Sequence, residues 1–322
     1  MITTKKALAI IKKSKNIAIF AHKEPDPDAC GSMFGLRDFC QKIGKNADVI
    51  MEEAPAAFMQ NVFPCKEAVK TFSPEKYDLV VMTDLHDATR LNSSFVEKVQ
   101  NFKNILIFDH HEVGANEKLI TDNCIIKTVA AASMLIVDLF EEAKVEPSKD
   151  GATYLYAGIM GDTDRFLHTN LTEKVFENAI YLMKKGADIQ KVYDSFYRNV
   201  SLKSIAVRKL LYRKMTYLRR GAGVYAIFTN RDIKRLGADI DDIKQYSNTM
   251  IRIEGVRVSF LIYQMPTGEF KVSMRTTDLD LVPFAQKMGG GGHKCASAFT
   301  TDLSDVEIKK KITSWCREIL NG

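Results

Sequence analysis

Long apolar runs are what this 322-residue sequence most plainly lacks. A membrane span needs about 18 or more consecutive apolar residues. The most apolar run, Val129 to Val137, is broken by Ser133 and stops at Asp138. The N-terminus, MITTKKALAIIKKSKNIAIF, scatters charge throughout and has neither the apolar region nor the cleavage site of a secretory leader. The six cysteines (30, 40, 65, 124, 295 and 316) form no C-x-x-C pair and sit mostly inside apolar segments, as free thiols of a reducing compartment do. The expectation is a cytoplasmic protein with no membrane partner. A large charge of one sign is missing too: 46 Lys and Arg against 40 Asp and Glu leave +6. That permits an anionic substrate but falls short of a protein that coats nucleic acid. Internal repeats and low-complexity tracts are absent, and 46% apolar with 27% charged residues excludes a disordered chain or a disulfide scaffold. The length suits two domains.

What the sequence has is a series of short, continuous apolar runs, each ended abruptly by acids or histidines. Ile17 to Phe20 runs into His22, Asp26 and Asp28; Leu79 to Met82 into Asp84; Ile105 to Phe108 into Asp109-His110-His111. Such runs mark strands buried on both faces of a parallel sheet. Helical patterns at Ala29–Ile43, Asn92–Phe102 and Val129–Glu142 lie between them, giving β-α-β units and an α/β fold with an N-terminal doubly wound, mostly parallel sheet. Ligands bind outside the carboxyl ends of strands in such sheets, so the polar run ends converge there. Gly161-Asp162-Thr163-Asp164 follows a further helix-like stretch. From about residue 200 the texture changes to a basic helical stretch, Leu202 to Leu218, then strand-like runs, a glycine run and a terminal amphipathic helix, Ser304 to Leu320. This predicts a smaller C-terminal α+β domain.

Asp26 and Asp28 flank Pro27, with His22 four residues before Asp26. Alone, this could be a helix cap, with Asp28 capping the helix that follows. Together with Asp84, His110 and Asp162, it describes carboxylates that would repel one another without cations. Acids and imidazoles without thiolates suit Mn²⁺ or Mg²⁺. Two ions sharing a bridging carboxylate need about six protein ligands, and His22, Asp26, Asp28, Asp84, His110 and Asp162 supply them. Such a pair suits in-line displacement at phosphorus by a hydroxide held between the ions.

In order, these residues resemble the motifs of the DHH phosphoesterases. His22-Lys-Glu-Pro-Asp26-Pro-Asp28-Ala29-Cys-Gly31-Ser32 resembles the first motif and Asp84 the second. Asp109-His110-His111 resembles the one that names the family, and Gly161-Asp162-Thr163 the fourth. Gly289 to His293, followed by Ala296, looks like the GGGH signature of the associated DHHA1 domain. The resemblance covers nearly the whole chain. Within the family it is similar to the NrnA-like nanoRNases and 3′-phosphoadenosine-5′-phosphate (pAp) phosphatases, close to stand-alone phosphodiesterases of cyclic di-AMP and pApA.

The resemblance implies a DHH catalytic domain over residues 1–190, a helical linker over 191–220, a DHHA1 domain over 221–322, and an active site in the interdomain cleft. One Mn²⁺ would be held by His22, Asp26 and Asp84, and a second by Asp28, Asp84, His110 and Asp162, with Mg²⁺ or Co²⁺ as substitutes. His111 would face the scissile phosphate and Asp109 would orient its neighbours. Gly31 and Ser32 would open a helix whose N–H groups favour an anion, with Ser32 either a phosphate contact or an ordinary helix-start residue. Arg165 would contact phosphate or pair with Asp164. Arg275, Gly290, Gly291, Gly292 and His293 would hold the far nucleotide or terminal phosphate. Two departures stand out: Asp164 where the family usually has glycine, and Ala298 where glycine is also usual.

The expected activity is hydrolysis of short oligoribonucleotides to 5′-mononucleotides, with removal of the 3′-phosphate of pAp. Alternatives are a cyclic di-AMP or pApA phosphodiesterase, a family II inorganic pyrophosphatase and a non-catalytic nucleotide sensor. Short RNA, cyclic or linear dinucleotides and pAp are the expected substrates, and the resemblance also implies a homodimer.

Overall fold

The computed structural model describes residues 1–320 except 114–118, 168–169, 199 and 245. The chain divides into two compact units, Met1–Asn199 and Val200–Gly322. In chain order the first contains α1 (Thr4–Lys13), β1 (Asn16–Phe20), α2 (Pro27–Lys42), β2 (Asn46–Val49), β3 (Leu79–Thr83), α3 (Ser93–Gln100), β4 (Ile105–Asp109) and β5 (Cys124–Ile126). It continues with α4 (Ala132–Ala143), α5 (Lys149–Asp162), α6 (Glu173–Lys184) and α7 (Ile189–Tyr193).

Among the described residues, the five strands of the first unit lie in the order β2-β1-β3-β4-β5, all parallel. Alternation along each central strand explains why the apolar runs are continuous. Ile17, Ile19, Leu79, Val81, Leu106 and Phe108 join a core with α1, α2, α4 and α5. Ala18, Phe20, Val80, Met82, Ile105 and Ile107 join a second core on the opposite face, with Phe95 and Val99 of α3. From β1 the chain crosses to the edge strand β2 and then returns to β3 on the other side of β1. The connections therefore diverge between β1 and β3, and that switch point is where such sheets open a crevice.

Helices α2 and α5 cross at glycines. A Cβ on Gly31 would lie 2.7 Å from the Tyr154 carbonyl oxygen and 2.9 Å from Gly158 Cα, and one on Gly161 would lie 2.5 Å from Pro27 Cβ. This close approach sets the first turn of α2 against the last turn of α5.

The second unit contains α8 (Leu202–Lys214), β6 (Thr216–Leu218), β7 (Gly223–Phe228), α9 (Asn230–Leu236), α10 (Ile240–Lys244), β8 (Val258–Gln264), β9 (Phe270–Thr276), α11 (Val282–Lys287), β10 (Gly291–His293), β11 (Ala296–Thr301) and α12 (Asp305–Ile319). Among its described residues six strands run β10-β11-β9-β8-β7-β6, antiparallel except for the β7–β8 pair. One sheet face packs on α11 and α12, the other on α8, α9 and α10.

The segment expected as a linker, 191–220, is divided between the two units. Phe196 packs on Phe58, ring centroids 5.4 Å apart, in the first unit. Val207, Leu210 and Leu211 of α8 belong to the core of the second. The basic helical stretch also ends earlier than its charge pattern predicts, at Lys214. Thr216-Tyr217-Leu218, β-branched and aromatic in part, instead pair antiparallel with β7.

Replacing Gly31 with Ala tests the crossing. Alanine is the better helix former by about 1 kcal/mol, but overpacking against a backbone carbonyl that cannot swing aside costs about 1–3 kcal/mol. Denaturant unfolding of Gly31→Ala is expected to show a net loss of stability.

Candidate active site

Four connections bring the polar residues together. After β1 the chain passes His22 to Asp26, which caps α2: its Oδ1 accepts hydrogen bonds from the N–H groups of Asp28 and Ala29, each at 2.9 Å. Pro27 occupies the first helical position, where its missing N–H costs nothing. The cap is therefore Asp26, and Asp28 lies inside the first turn, fully buried. Its carboxylate accepts the N–H groups of Ala132 (2.5 Å) and Ser133 (3.0 Å), which open α4. Asp84 follows β3 with φ +55°, left-handed backbone that an aspartate tolerates, and its N–H donates to Phe108 O at 2.8 Å. β4 ends on Asp109, leading to His110 and His111, and Asp162 is the last residue of α5.

His22 and His110 share one arrangement. Each Nδ1 donates to a backbone carbonyl, His22 to Lys23 O at 2.8 Å and His110 to Val129 O at 3.1 Å. That leaves each Nε2 lone pair aimed at carboxylates. His22 Nε2 lies 3.4 Å from Asp84 Oδ2 and 3.8 Å from Asp26 Oδ2. His110 Nε2 lies 3.2 Å from Asp84 Oδ1, 3.2 Å from Asp162 Oδ2 and 3.9 Å from Asp28 Oδ2. Asp84 Oδ1 and His110 Nε2 are buried without a hydrogen-bond partner. Acceptors facing acceptors require a cation. Nitrogen and oxygen donors, with the second imidazole nitrogen tied to a carbonyl, fit a divalent metal. Among the described residues, three groups of donor atoms within 4.8 Å of one another could hold an ion: His22, Asp26 and Asp84; Asp28, His110 and Asp162; and Asp84, Asp109, His110 and His111.

Without metal, protons must fill that role. Burial depresses the His22 imidazole, but hydrogen bonds to Asp26 and Asp84 lift it to about 10. Burial likewise depresses His110, and Asp162 and Asp84 lift it to about 11. Burial pushes the Asp28 carboxyl well up, reinforced by the charges of Asp162 and Asp84.

Asp109, also fully buried, is different. Burial alone would raise its carboxyl, but His111 and His86 bring it down to about 2. His111 Nδ1 donates to Asp109 Oδ1 at 2.8 Å, and His86 Nδ1 bonds Oδ2. Motif reading passes over His86. Its one sequence signal is its place two residues after Asp84, in the same strand-end loop.

Ser32 is not placed to meet a phosphate. It is fully buried, with Oγ donating to Asp28 O at 2.7 Å and lying 3.1 Å from Thr83 Oγ1. Because α2 begins at Pro27, Gly31 and Ser32 lie in its interior rather than at its N-terminus.

After Asp162 the chain makes a left-handed turn at Asp164, Arg165 and Phe166, with φ of +42°, +65° and +63°. Thr163 locks it: Oγ1 donates to Ile159 O at 2.7 Å and accepts from Phe166 N at 3.1 Å. The backbone at Asp164 is one that glycine enters freely. Arg165 pairs with Asp164 Oδ1 at 3.0 Å and lies 4.7 Å above the Tyr197 ring.

In the second unit the Arg275 guanidinium is harnessed by its own domain. Nε donates to Asn248 Oδ1 at 2.8 Å, Nη1 to Met274 O at 2.9 Å and Ser273 Oγ at 3.3 Å, and Nη2 to Ser247 Oγ at 3.4 Å. The glycine run is not an open loop throughout. Gly291, Gly292 and His293 form β10, an edge strand paired with Ala298, Ser297 and Ala296. A Cβ on Gly290 would meet Ala298 O at 2.1 Å, and one on Gly292 would meet Ala296 O at 2.5 Å, so hairpin packing requires both glycines. Gly291 has open space, and His293 is exposed.

A parallel sheet that gathers such donors at its switch point defines a metal-dependent phosphoesterase. Comparison with known proteins gives the family: residues 16–159 match the N-terminal domain of the DHH family and residues 222–318 the DHHA1 domain, and the chain belongs to that family. It is 27% identical over 314 residues to the bifunctional oligoribonuclease and PAP phosphatase NrnA of Mycoplasma genitalium, spanning 95% of this chain and 96% of that protein. It is 26% identical over 321 residues to the cyclic-di-AMP phosphodiesterase PdeA of Listeria monocytogenes, covering 93% of this chain but 46% of PdeA. The crystal structure of an exopolyphosphatase-related protein from Bacteroides fragilis superposes with a TM-score of 0.89 at 20% identity, over 99% of this chain and 97% of that one, a likeness of fold.

Three outcomes are expected. Divalent metal should displace protons from His22 and His110, so its affinity rises with pH, and titration calorimetry in buffers of different ionisation enthalpy should register the release. In the metal-free protein these raised values favour folding fully below about pH 6.5, the ordinary histidine value, and the advantage is lost as pH climbs through about 10–11. The melting temperature should fall over that window without metal and stay flatter with it. At the left-handed turn, Asp164→Val should lose about 1–2 kcal/mol, whereas Asp164→Gly should melt no lower than Asp164→Val by differential scanning calorimetry.

Proposed function

We propose that the chain hydrolyses short oligoribonucleotides to 5′-mononucleotides and removes the 3′-phosphate of pAp, using two Mn²⁺ for which Mg²⁺ or Co²⁺ can substitute. The observation that carries this reading is the division of Asp84: Oδ2 faces His22 at 3.4 Å and Oδ1 faces His110 at 3.2 Å. One carboxylate with an oxygen toward each donor group suits a bridging ligand between His22 and Asp26 on one side and Asp28, His110 and Asp162 on the other. Divalent ions held there would supply an activated water and offset charge building on the phosphoryl oxygens.

The chain's own groups do the rest. His111, its Nδ1 committed to Asp109, turns Nε2 toward the phosphate and the leaving oxygen. Arg275, held in place by Asn248 and Ser247, and His293 on the glycine hairpin anchor the far phosphate or nucleotide. An anchor of that kind favours substrates of a few nucleotides, because long polymers draw their affinity from extended basic grooves. The NrnA relative supports the oligoribonuclease and phosphatase reading, and PdeA supports a cyclic di-AMP phosphodiesterase as the second. Among the described residues no helix is long and apolar enough to cross a membrane, and all six cysteines are free.

Incubating the Mn²⁺-loaded protein with pAp, pApA, longer oligomers, cyclic di-AMP and pyrophosphate tests the assignment. Turnover of pApA and pAp is expected, and Asp84→Ala should lower it by more than about 100-fold. Faster opening of cyclic di-AMP than of pApA would favour the second reading, and intact pAp and pApA would overturn the first.

A further inference from the structure

His86 has no part in the reading so far. It is 7% exposed, in the loop after β3, and belongs to none of the three groups that could hold an ion, although its partner Asp109 belongs to one of them. Its Nδ1 bonds Asp109 Oδ2, while Asp109 Oδ1 accepts His110 N at 2.7 Å, His111 N at 3.2 Å and His111 Nδ1 at 2.8 Å. One buried carboxylate thus joins two imidazoles, His86–Asp109–His111.

The chain of bonds matters because the three site imidazoles are not fixed alike. His22 and His110 donate Nδ1–H to backbone carbonyls, which cannot turn. His111 donates to a side-chain carboxylate, whose terminal torsion is broad and roughly two-fold. The orientation of His111 is therefore only as good as that of Asp109, and Oδ2 of Asp109 is held by His86.

We propose that His86 is a positioning residue: it pins the Asp109 carboxylate so that Oδ1 keeps His111 as the Nδ1–H tautomer, with Nε2 presented to the substrate phosphate. The catalytic meaning of this rests on the phosphoesterase reading above. The tautomer does not.

The variants are His86→Ala, His86→Asn, His86→Gln, His111→Ala and the double variant His86→Ala/His111→Ala. Asparagine places a donor where Nδ1 stands, whereas glutamine carries its donor one bond further out. With pApA and Mn²⁺, His86→Ala and His86→Gln should lower kcat by about 10- to 100-fold with KM little changed, as loss of an orienting partner does. His86→Asn should recover most of the rate, and His86→Ala should slow His111→Ala no further.

Nitrogen-detected histidine NMR on Mg²⁺-loaded protein supplies a readout free of turnover. His111 should be the Nδ1–H tautomer in wild type and His86→Asn, and lose that preference in His86→Ala and His86→Gln. An unchanged tautomer in His86→Gln overturns the proposal, as does an equal kcat loss from His86→Ala with and without His111. If wild-type protein turns over neither pApA nor pAp, the activity reading fails and the NMR comparison still decides this one.

Discussion

Imidazole nitrogens crowded against carboxylates, which need a proton or a metal ion between them, are the constraint on which this molecule depends. His22 and His110 have each given their Nδ1–H to a carbonyl, and what remains points at Asp26, Asp28, Asp84 and Asp162. The arrangement is unfavourable until a cation enters, so the surrounding structure must hold it in place. The parallel sheet does so from three strand ends, the glycine crossing of α2 and α5 brings Asp28 and Asp162 face to face, and the start of α4 grips Asp28. The first unit's architecture can be understood as a frame that keeps like charges close.

Much of this was legible in the sequence because its signals are abrupt. A two-sided apolar run ending in an acid marks a buried strand and its carboxyl end at once, so β1, β3 and β4 and the residues after them follow directly. The edge strands are less visible. β2, Asn-Ala-Asp-Val, is largely exposed, and β5 spans three residues, so neither shows the continuous burial that marks the centre of the sheet. Ser32 illustrates how far a small error travels. Starting α2 at Ala29 rather than Pro27 leaves Gly31 and Ser32 at a helix mouth, whereas two residues of extra helix turn them into the packing interior.

The glycine run and His86 show the two limits of motif reading. In the run, backbone proximity within the hairpin is a sufficient reason for Gly290 and Gly292, and the sequence cannot separate that reason from phosphate binding. His86 is invisible for the opposite cause: its partner Asp109 is far away in the chain and meets it only because β3 and β4 are neighbours in the sheet.

Asp26 and Asp28 each serve two masters. Asp26 starts α2 and faces His22, while Asp28 anchors the first N–H groups of α4 and faces His110. Losing either carboxylate would unsettle a helix as well as a donor set. Asp84 and Asp162 carry no comparable helix-starting duty. A lineage that abandoned catalysis while keeping the fold would thus be expected to erode first at Asp84 or Asp162, and to retain the Asp-Pro-Asp turn as a fossil of the enzyme it had been.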